Sequence, residues 1–424
     1  MSLKQLFLQA LTNGVYMILQ LQPGKLKGDV EAIASKSDAH RALICASFSD
    51  APCDIKLSTT SKDIEATAEV LRVFGTDIEL TANSYKVSPR RYSTLKCTAD
   101  CNESGSTLRF LLPVAAALGG EVIFKGTGRL PKRPMTELCQ TLSKNGISIQ
   151  QHTEDFLPFT MSGKLTNTNF ELPGSVSSQY VSGLMFAAAI SSGGIINLTS
   201  KLESASYVEI TRNVLEKFGI ITEKSEKYYK LDKNQKLISP HVYSVEGDWS
   251  CSAFWLCAKF MGSNINVSNL NMNSPQGDKA VIQILKSFES NKDCSVDCSD
   301  IPDLVPPLAI AACARKSITH FVNAARLRLK ESDRIESVAE MIKKLGGNVE
   351  TTKDSITVIG HGSLIGGEVS SQNDHRIVMA SAIASTITKK NVVINGAEAV
   401  QKSYPSFFTD FNNLGGNINV ISLR

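Results

Sequence analysis

The chain has 424 residues, 42% hydrophobic and 20% charged, with a formal net charge of +4. That length exceeds one ordinary hydrophobic core and calls for two or more domains. No apolar run approaches the roughly 18 to 20 residues that span a bilayer, and no Lys/Arg-rich block marks a nucleic-acid surface, so neither a membrane nor a nucleic acid is an expected partner.

Residues 1–16 carry only Lys4 as a positive charge before Leu6, and no clear small-residue cleavage site follows. They fit a secretory signal poorly and read as an added N-terminal extension of unknown role. The first strand is expected from Met17, in MILQLQPG. Ten cysteines follow without a compact framework spacing. Cys97 and Cys101 are four apart, as are Cys294 and Cys298, but no histidine lies close and neither pair is a CxxC knuckle. Reduced thiols of a cytoplasmic protein are expected, with no metal.

From there two phrases alternate along the chain. Lys36-Ser37-Asp38 precedes the apolar ALICASF, and VLRVFGTDIEL follows around Gly75. Ser104-Gly105-Ser106-Thr107 precedes LRFLLPVAAAL, followed by TLSKNGISIQ around Gly146. Ser177-Ser178-Gln179 precedes YVSGLMFAAAI, followed by VLEKFGIITE around Gly219. Gly247-Asp248 leads toward CSAFWLCAKF, with a degenerate second phrase, ILKSFESNKDC, near Glu289. Pro302-Asp303 leads into LVPPLAIAACA, followed by MIKKLGGNVE around Gly346. Asn373-Asp374-His375-Arg376 leads into IVMASAIAS, followed by FNNLGGNINV around Gly415.

The chain thus reads as six related α/β units, each with one buried and one amphipathic helix. The glycine after each amphipathic helix is what a left-handed C-terminal residue requires. The polar leaders of the buried helices suit simple N-capping. Several also carry Lys, Arg, His or Gln, which capping does not need. Helix starts present unpaired N–H groups and partial positive charge, so these leaders are candidates for holding phosphate and carboxylate. Within RLRLKESDRIES, residues 326–337, seven charged side chains fall in twelve positions. Such a run is either a solvated face or a cluster around a ligand.

Taken jointly, SKSDAHR, ESGSTLR, KRP, GSVSSQ, IPD, LKESDR, NDHR and KSYP resemble the EPSP synthases (3-phosphoshikimate 1-carboxyvinyltransferases) of the enolpyruvyl transferase family, in order from about residue 18 to 410. The resemblance implies a two-domain enolpyruvyl-transferase fold, with six βαβαββ repeats, three per domain, around buried parallel helices. It puts residues 17–34 and 246–424 in a C-terminal-type domain and 35–245 in an N-terminal-type domain, with the active site in a cleft between them. The implied reaction transfers the enolpyruvyl group of phosphoenolpyruvate to the 5-hydroxyl of shikimate 3-phosphate, in the shikimate pathway to chorismate and the aromatic amino acids. It implies no cofactor, a cytoplasmic location and a monomer.

The same resemblance places Lys36, Ser37, Arg41, Ser177, Ser178, Gln179, Ser204, Tyr207, Asp303 and Lys330 around shikimate 3-phosphate. It places Lys36, Gly105, Arg133, Gln179, Arg334, His375, Arg376 and Lys402 around phosphoenolpyruvate. Asp303 is the implied partner of the 5-hydroxyl and Glu331 the implied proton donor to the methylene carbon, with Lys36 and Lys402 sharing proton work. These types fit the chemistry: two polyanions need cations between them, and a proton must be delivered while another is removed. Arg326 and Glu336 are expected to be mere surface charge.

Some positions depart from the family pattern. Glu103 stands where an Asn-like residue is usual, Ser106 where Thr is usual, Phe110 where proline is familiar, and Ala205-Ser206 where Lys-Pro is common. Gly105 favours sensitivity to glyphosate, while Ser106 and Phe110 are placed to weaken it. The related UDP-N-acetylglucosamine enolpyruvyl transferases carry a reactive cysteine five residues before the Arg-Pro, where this chain has Gly128. RNA 3′-phosphate cyclases share the repeat but need a basic surface. A catalytically silent homologue would have lost Asp303, Glu331 or Lys36, and all are present.

Overall fold

The computed structural model describes residues 16–91 and 94–423; apart from Tyr16, the N-terminal extension lies outside the described residues. The chain packs as two compact units, one contiguous (Ala34–Glu246) and one split (Met1–Ile33 with Gly247–Arg424).

In the contiguous unit the helices are α1 (Lys36–Ser47), α2 (Lys62–Val73), α3 (Gly105–Leu118), α4 (Thr136–Lys144), α5 (Ser178–Ile190) and α6 (Ala205–Lys217). Almost every residue of α1, α3 and α5 is buried, whereas α2, α4 and α6 bury one face. The alanine-rich apolar runs seen in the sequence are therefore the interior helices. α3 and α5 approach closely because Gly183 has no side chain: a β-carbon there would lie 2.2 Å from the Arg109 carbonyl oxygen.

Three four-stranded sheets cover this bundle, each a parallel pair continued by an antiparallel hairpin. Their orders are Val242–Ser244, Cys53–Lys56, Ser84–Ser88, Asp77–Leu80; Leu95–Asp100, Gly120–Lys125, Phe159–Gly163, Ile147–Gln151; and Asn169–Leu172, Gly194–Leu198, Tyr228–Leu231, Thr222–Lys224. The strand-helix-strand-helix-strand-strand order expected from the repeat is thus present.

The split unit repeats the plan with α7 (Trp249–Phe260), α8 (Val281–Phe288), α9 (Val305–Cys313), α10 (Arg334–Lys344), α11 (His375–Ala384) and α12 (Phe407–Asn413). Two of its sheets have the same four-strand order, and one of them takes Met17–Leu21 as its third strand, antiparallel to both Val392–Asn395 and Ile418–Leu423. The remaining sheet has only Lys27–Glu31 and Asn264–Ser268 among the described residues. It belongs to the repeat whose second phrase is degenerate.

The repeated glycines do what their positions predict. Gly75, Gly146, Gly219, Gly346 and Gly415 have φ of +100°, +93°, +81°, +80° and +87°. Near the degenerate copy the left-handed residue is Asn291, at φ +49°, the commonest non-glycine substitute.

Candidate functional site

The starts of the buried helices carry the candidate residues. Ser35 caps α1 by accepting from the Asp38 N–H, Ser104 caps α3 through the Thr107 N–H, and Ser177 caps α5 through the Gln179 N–H. Asp248 and Asp374 cap α7 and α11 in the same way. The capping reading of the leaders is right for these residues. Their neighbours Lys36, Gln179 and Arg376 are then left for other partners.

In the contiguous unit, the Lys36 ammonium pairs with Asp63 at 2.8 Å. Arg41 is 2% exposed. It donates to the Ser37 carbonyl (2.5 Å), the Tyr207 carbonyl (2.8 Å) and the Thr211 hydroxyl (2.7 Å), with its guanidinium 4.9 Å from the Phe110 ring centre. Burial pulls its pKa down to about 10, so it is charged at neutral pH. Gln179 bridges α3: its Oε1 accepts from Arg109 at 2.7 Å, and its Nε2 donates to Ser106 at 2.9 Å. Gly105 opens α3 directly beneath Arg133, where a β-carbon would sit 2.7 Å from Nη1.

Ser177, Ser178 and Ser204 are buried in this unit. Ser204 stands before α6 with φ +52° and ψ +44°, a left-handed conformation costly for a non-glycine residue and typical of functional positions. Tyr207 lies one turn into α6. The sequence reading therefore brings Lys36, Ser37, Arg41, Gly105, Arg133, Ser177, Ser178, Gln179, Ser204 and Tyr207 into one unit.

The split unit holds the acids. Asp303 lies in the 3₁₀ turn Pro302–Leu304, just ahead of α9. Its carboxylate accepts from Arg334 Nη1 at 2.6 Å and Arg376 Nη2 at 3.0 Å, and Lys330 Nζ lies 3.6 Å away. Arg334, 1% exposed, also binds Glu331 at 2.6 Å and Asp374 at 2.8 Å. Burial alone would lower the Arg334 pKa, but Asp374, Glu331 and Asp303 outweigh it and hold it well above the ordinary value. Lys330 shows the opposite balance: burial dominates and brings it down to about 8, with Asp303 pulling the other way.

Lys402 ends the 3₁₀ helix Ala397–Lys402 and donates to the Asn373 carbonyl at 2.6 Å. His375, 1% exposed, has Nδ1 4.0 Å from Asp374. Asp303, Lys330, Glu331, Arg334, His375, Arg376 and Lys402 thus fall in the split unit. The charged run 326–337 divides between two ion-pair clusters. Lys330, Glu331 and Arg334 join Asp303, while Arg328 pairs with Asp333 and the exposed Glu336.

Several participants were not visible in the sequence. Asp374 was expected only as a cap within NDHR; besides capping α11 it anchors Arg334. Asp63 looks like an ordinary acidic first-turn residue. Asp278 is buried, and burial, with the Asp303 charge next, raises its pKa to about 6. No motif surrounds it.

Departures from the family pattern also acquire geometry. Phe110 is buried edge-on against His40 and Phe186. Glu103 packs onto Gly128, whose φ is +60° and where a β-carbon would meet the Glu103 carboxylate at 2.3 Å. A cysteine at position 128 would require the Glu103 side chain to swing aside and would take a left-handed backbone. Among the described residues no helix is long and apolar enough to cross a membrane, and the ten cysteines are free thiols.

The profile of EPSP synthase (3-phosphoshikimate 1-carboxyvinyltransferase) matches residues 21–411. A Clostridium acetobutylicum protein named 3-phosphoshikimate 1-carboxyvinyltransferase is 41% identical, covering 96% of this chain and 99% of its own length. One of that name from Clostridioides difficile is 37% identical over 95% and 98%. Among solved structures, an EPSP synthase from Acinetobacter baumannii superposes with TM-score 0.79 at 23% identity, covering 96% of this chain and 100% of that one. The enolpyruvyl transferase NikO from Streptomyces tendae gives 0.75 at 14%, covering 97% and 100%.

Proposed function

Because the chain belongs to the EPSP synthase family, we propose that its two sets of charged residues divide the work of a 3-phosphoshikimate 1-carboxyvinyltransferase. The protein is a transferase of the shikimate pathway with the enolpyruvyl-transferase fold. The observation that carries the division of labour is the seat of Asp303. It is the acid of a buried helix start, and its carboxylate is spanned by Arg334 and Arg376.

In this reading Asp303 accepts the proton of the 5-hydroxyl of shikimate 3-phosphate as that oxygen attacks C2 of phosphoenolpyruvate. A proton is delivered to C3, which becomes a methyl group, and a tetrahedral adduct forms. Glu331, Lys36 and Lys402 are the groups assigned to that delivery. The adduct then returns a proton from C3, the bond from C2 to the phosphate oxygen breaks, and phosphate leaves. Arg334 and Arg376 orient the Asp303 carboxylate for that transfer.

Lys36, Ser37, Arg41, Ser177, Ser178, Gln179, Ser204, Tyr207 and Lys330 are assigned to shikimate 3-phosphate. Lys36, Gly105, Arg133, Gln179, Arg334, His375, Arg376 and Lys402 are assigned to phosphoenolpyruvate. For Arg334 and Arg376 this means sharing their donors between Asp303 and the incoming anion. Arginine, with five N–H groups, is suited to that. The reading includes a cytoplasmic monomer, checked by sedimentation.

The experiment is phosphate release from phosphoenolpyruvate with each acceptor. Release dependent on shikimate 3-phosphate is expected. Release driven by UDP-N-acetylglucosamine would transfer the protein to the other enolpyruvyl branch, against which glycine rather than cysteine at position 128 already argues. Tight binding of both substrates without release would make it a silent homologue.

A further inference from the structure

We propose that the contiguous unit seats its two anion grips on two separate chains of buried hydroxyls, with His40, Thr67 and Thr107 as positioning residues for the Gly105–Arg133 grip and Thr211 and Ser182 as positioning residues for Arg41. The inference rests on the substrate assignment above.

The first chain joins three helices just inside their starts. His40 lies one turn beyond Lys36 on α1, Thr67 one turn beyond Asp63 on α2, and Thr107 in the first turn of α3 beside Gly105. His40 Nδ1 and Thr67 Oγ1 are 2.7 Å apart, Thr67 Oγ1 and Thr107 Oγ1 are 2.7 Å apart, and Thr107 Oγ1 donates to the capping Ser104 Oγ at 2.7 Å. Ser104, His40, Thr67 and Thr107 are all 0% exposed. With water excluded, each hydroxyl must find a protein partner, so these distances fix how α1, α2 and α3 stack. Burial, then the charges of Lys36 and Arg41, hold His40 well below its ordinary pKa, so the ring is a neutral link.

What this stack positions is the Gly105 start of α3 against Arg133, which Thr107 adjoins in the same first turn. The second chain runs the other way from the neighbouring residue of α1. Arg41 Nε donates to Thr211 Oγ1 on α6, which lies 2.7 Å from Ser182 Oγ on α5. His40 and Arg41 are adjacent in sequence, yet their hydroxyl partners share no residue.

A purely structural role for these threonines would move both substrates together. The test therefore measures KM and equilibrium binding for each substrate in full-length Thr107→Val and Thr211→Val. Thr107→Val is expected to raise KM for phosphoenolpyruvate about tenfold, the size of one lost buried hydrogen bond, with KM for shikimate 3-phosphate within about twofold. Thr211→Val is expected to do the reverse, and Thr→Ser at either position to restore the parent value.

Should either valine variant fail to fold, Thr67→Ala and Ser182→Ala read the same two chains. Shifts common to both substrates, or none in folded variants, overturn the inference while leaving the substrate assignment intact. Wild-type protein that releases no phosphate with shikimate 3-phosphate overturns the assignment itself, and this inference with it.

Discussion

Arg41 and Arg334 are almost equally buried, at 2% and 1% exposure, yet their surroundings are opposite. The named acceptors of Arg41 are a hydroxyl and two carbonyls, all uncharged. Arg334 is gripped by three carboxylates. A buried cation whose named hydrogen-bond acceptors are neutral, with the Asp38 charge acting on it outside those bonds, keeps more of its field for an incoming anion. One already paired with acids instead orients those acids. In the proposed assignment both acids given proton-transfer roles, Asp303 and Glu331, lie in the split unit beside Arg334. Carboxylates alone would not distinguish the two units, since Asp63 sits on Lys36 in the contiguous one.

The largest effect expected from this contrast is on turnover. Asp303→Asn keeps an acceptor for one arginine but cannot take a proton, so kcat should fall on the order of 10² or more. Both KM values should change only a few-fold in steady-state assays. Near-normal kcat would remove Asp303 from the proton chemistry and erase the division between the units.

Next comes stability. Arg334→Met strands Asp303, Glu331 and Asp374 together and should cost about 3–5 kcal/mol in denaturant unfolding. Arg41→Met leaves only neutral acceptors behind, should cost about 1–2 kcal/mol, and should show mainly as lost affinity for shikimate 3-phosphate. Equal costs would break the comparison.

The smallest effect sharpens it. Lys330 is lowered from 10.5 to about 8 by burial, so the cation disappears as pH rises through about 8. KM for shikimate 3-phosphate should then climb, by up to about tenfold per pH unit, while Lys330→Arg stays flat. Folding should respond in the opposite sense. Between about 8 and 10.5 the unfolded chain binds more protons than the folded one, so the contribution of Lys330 to stability improves with pH. A flat wild-type KM up to pH 9 would remove Lys330 from the phosphate contact.

The features legible in the sequence were those governed by local rules. A helix ending in the left-handed region needs glycine, so Gly75, Gly146, Gly219, Gly346 and Gly415 revealed the period, and the irregular copy marked the sheet with two strands. Ser104 and Ser177 were recognisable as caps for the same local reason. Asp303 was identified through its resemblance to a family. Its two arginines lie 31 and 73 residues away, and nothing in composition states such distances. Thr67, Thr107 and Thr211 left no trace, because a threonine inside a helix looks alike whether its hydroxyl meets its own backbone or a neighbouring helix. The ion pair of Asp374 was overlooked because capping and ion pairing use the same residue type.

The placing of Met17–Leu21 between two strands near the other end of the chain bears on how the protein is made. Met17 donates its N–H to Glu398, 381 positions later. On a ribosome the contiguous unit is complete once residue 246 has emerged, and nothing it needs comes later. The early strand must wait, with its hydrogen-bonding edges uncovered, for almost the whole message to be read; long-range pairing of this kind is slow and exposed to misassociation. Nascent chains stalled after residue 246 should already protect the contiguous unit from protease, while the opening strand gains protection only after release.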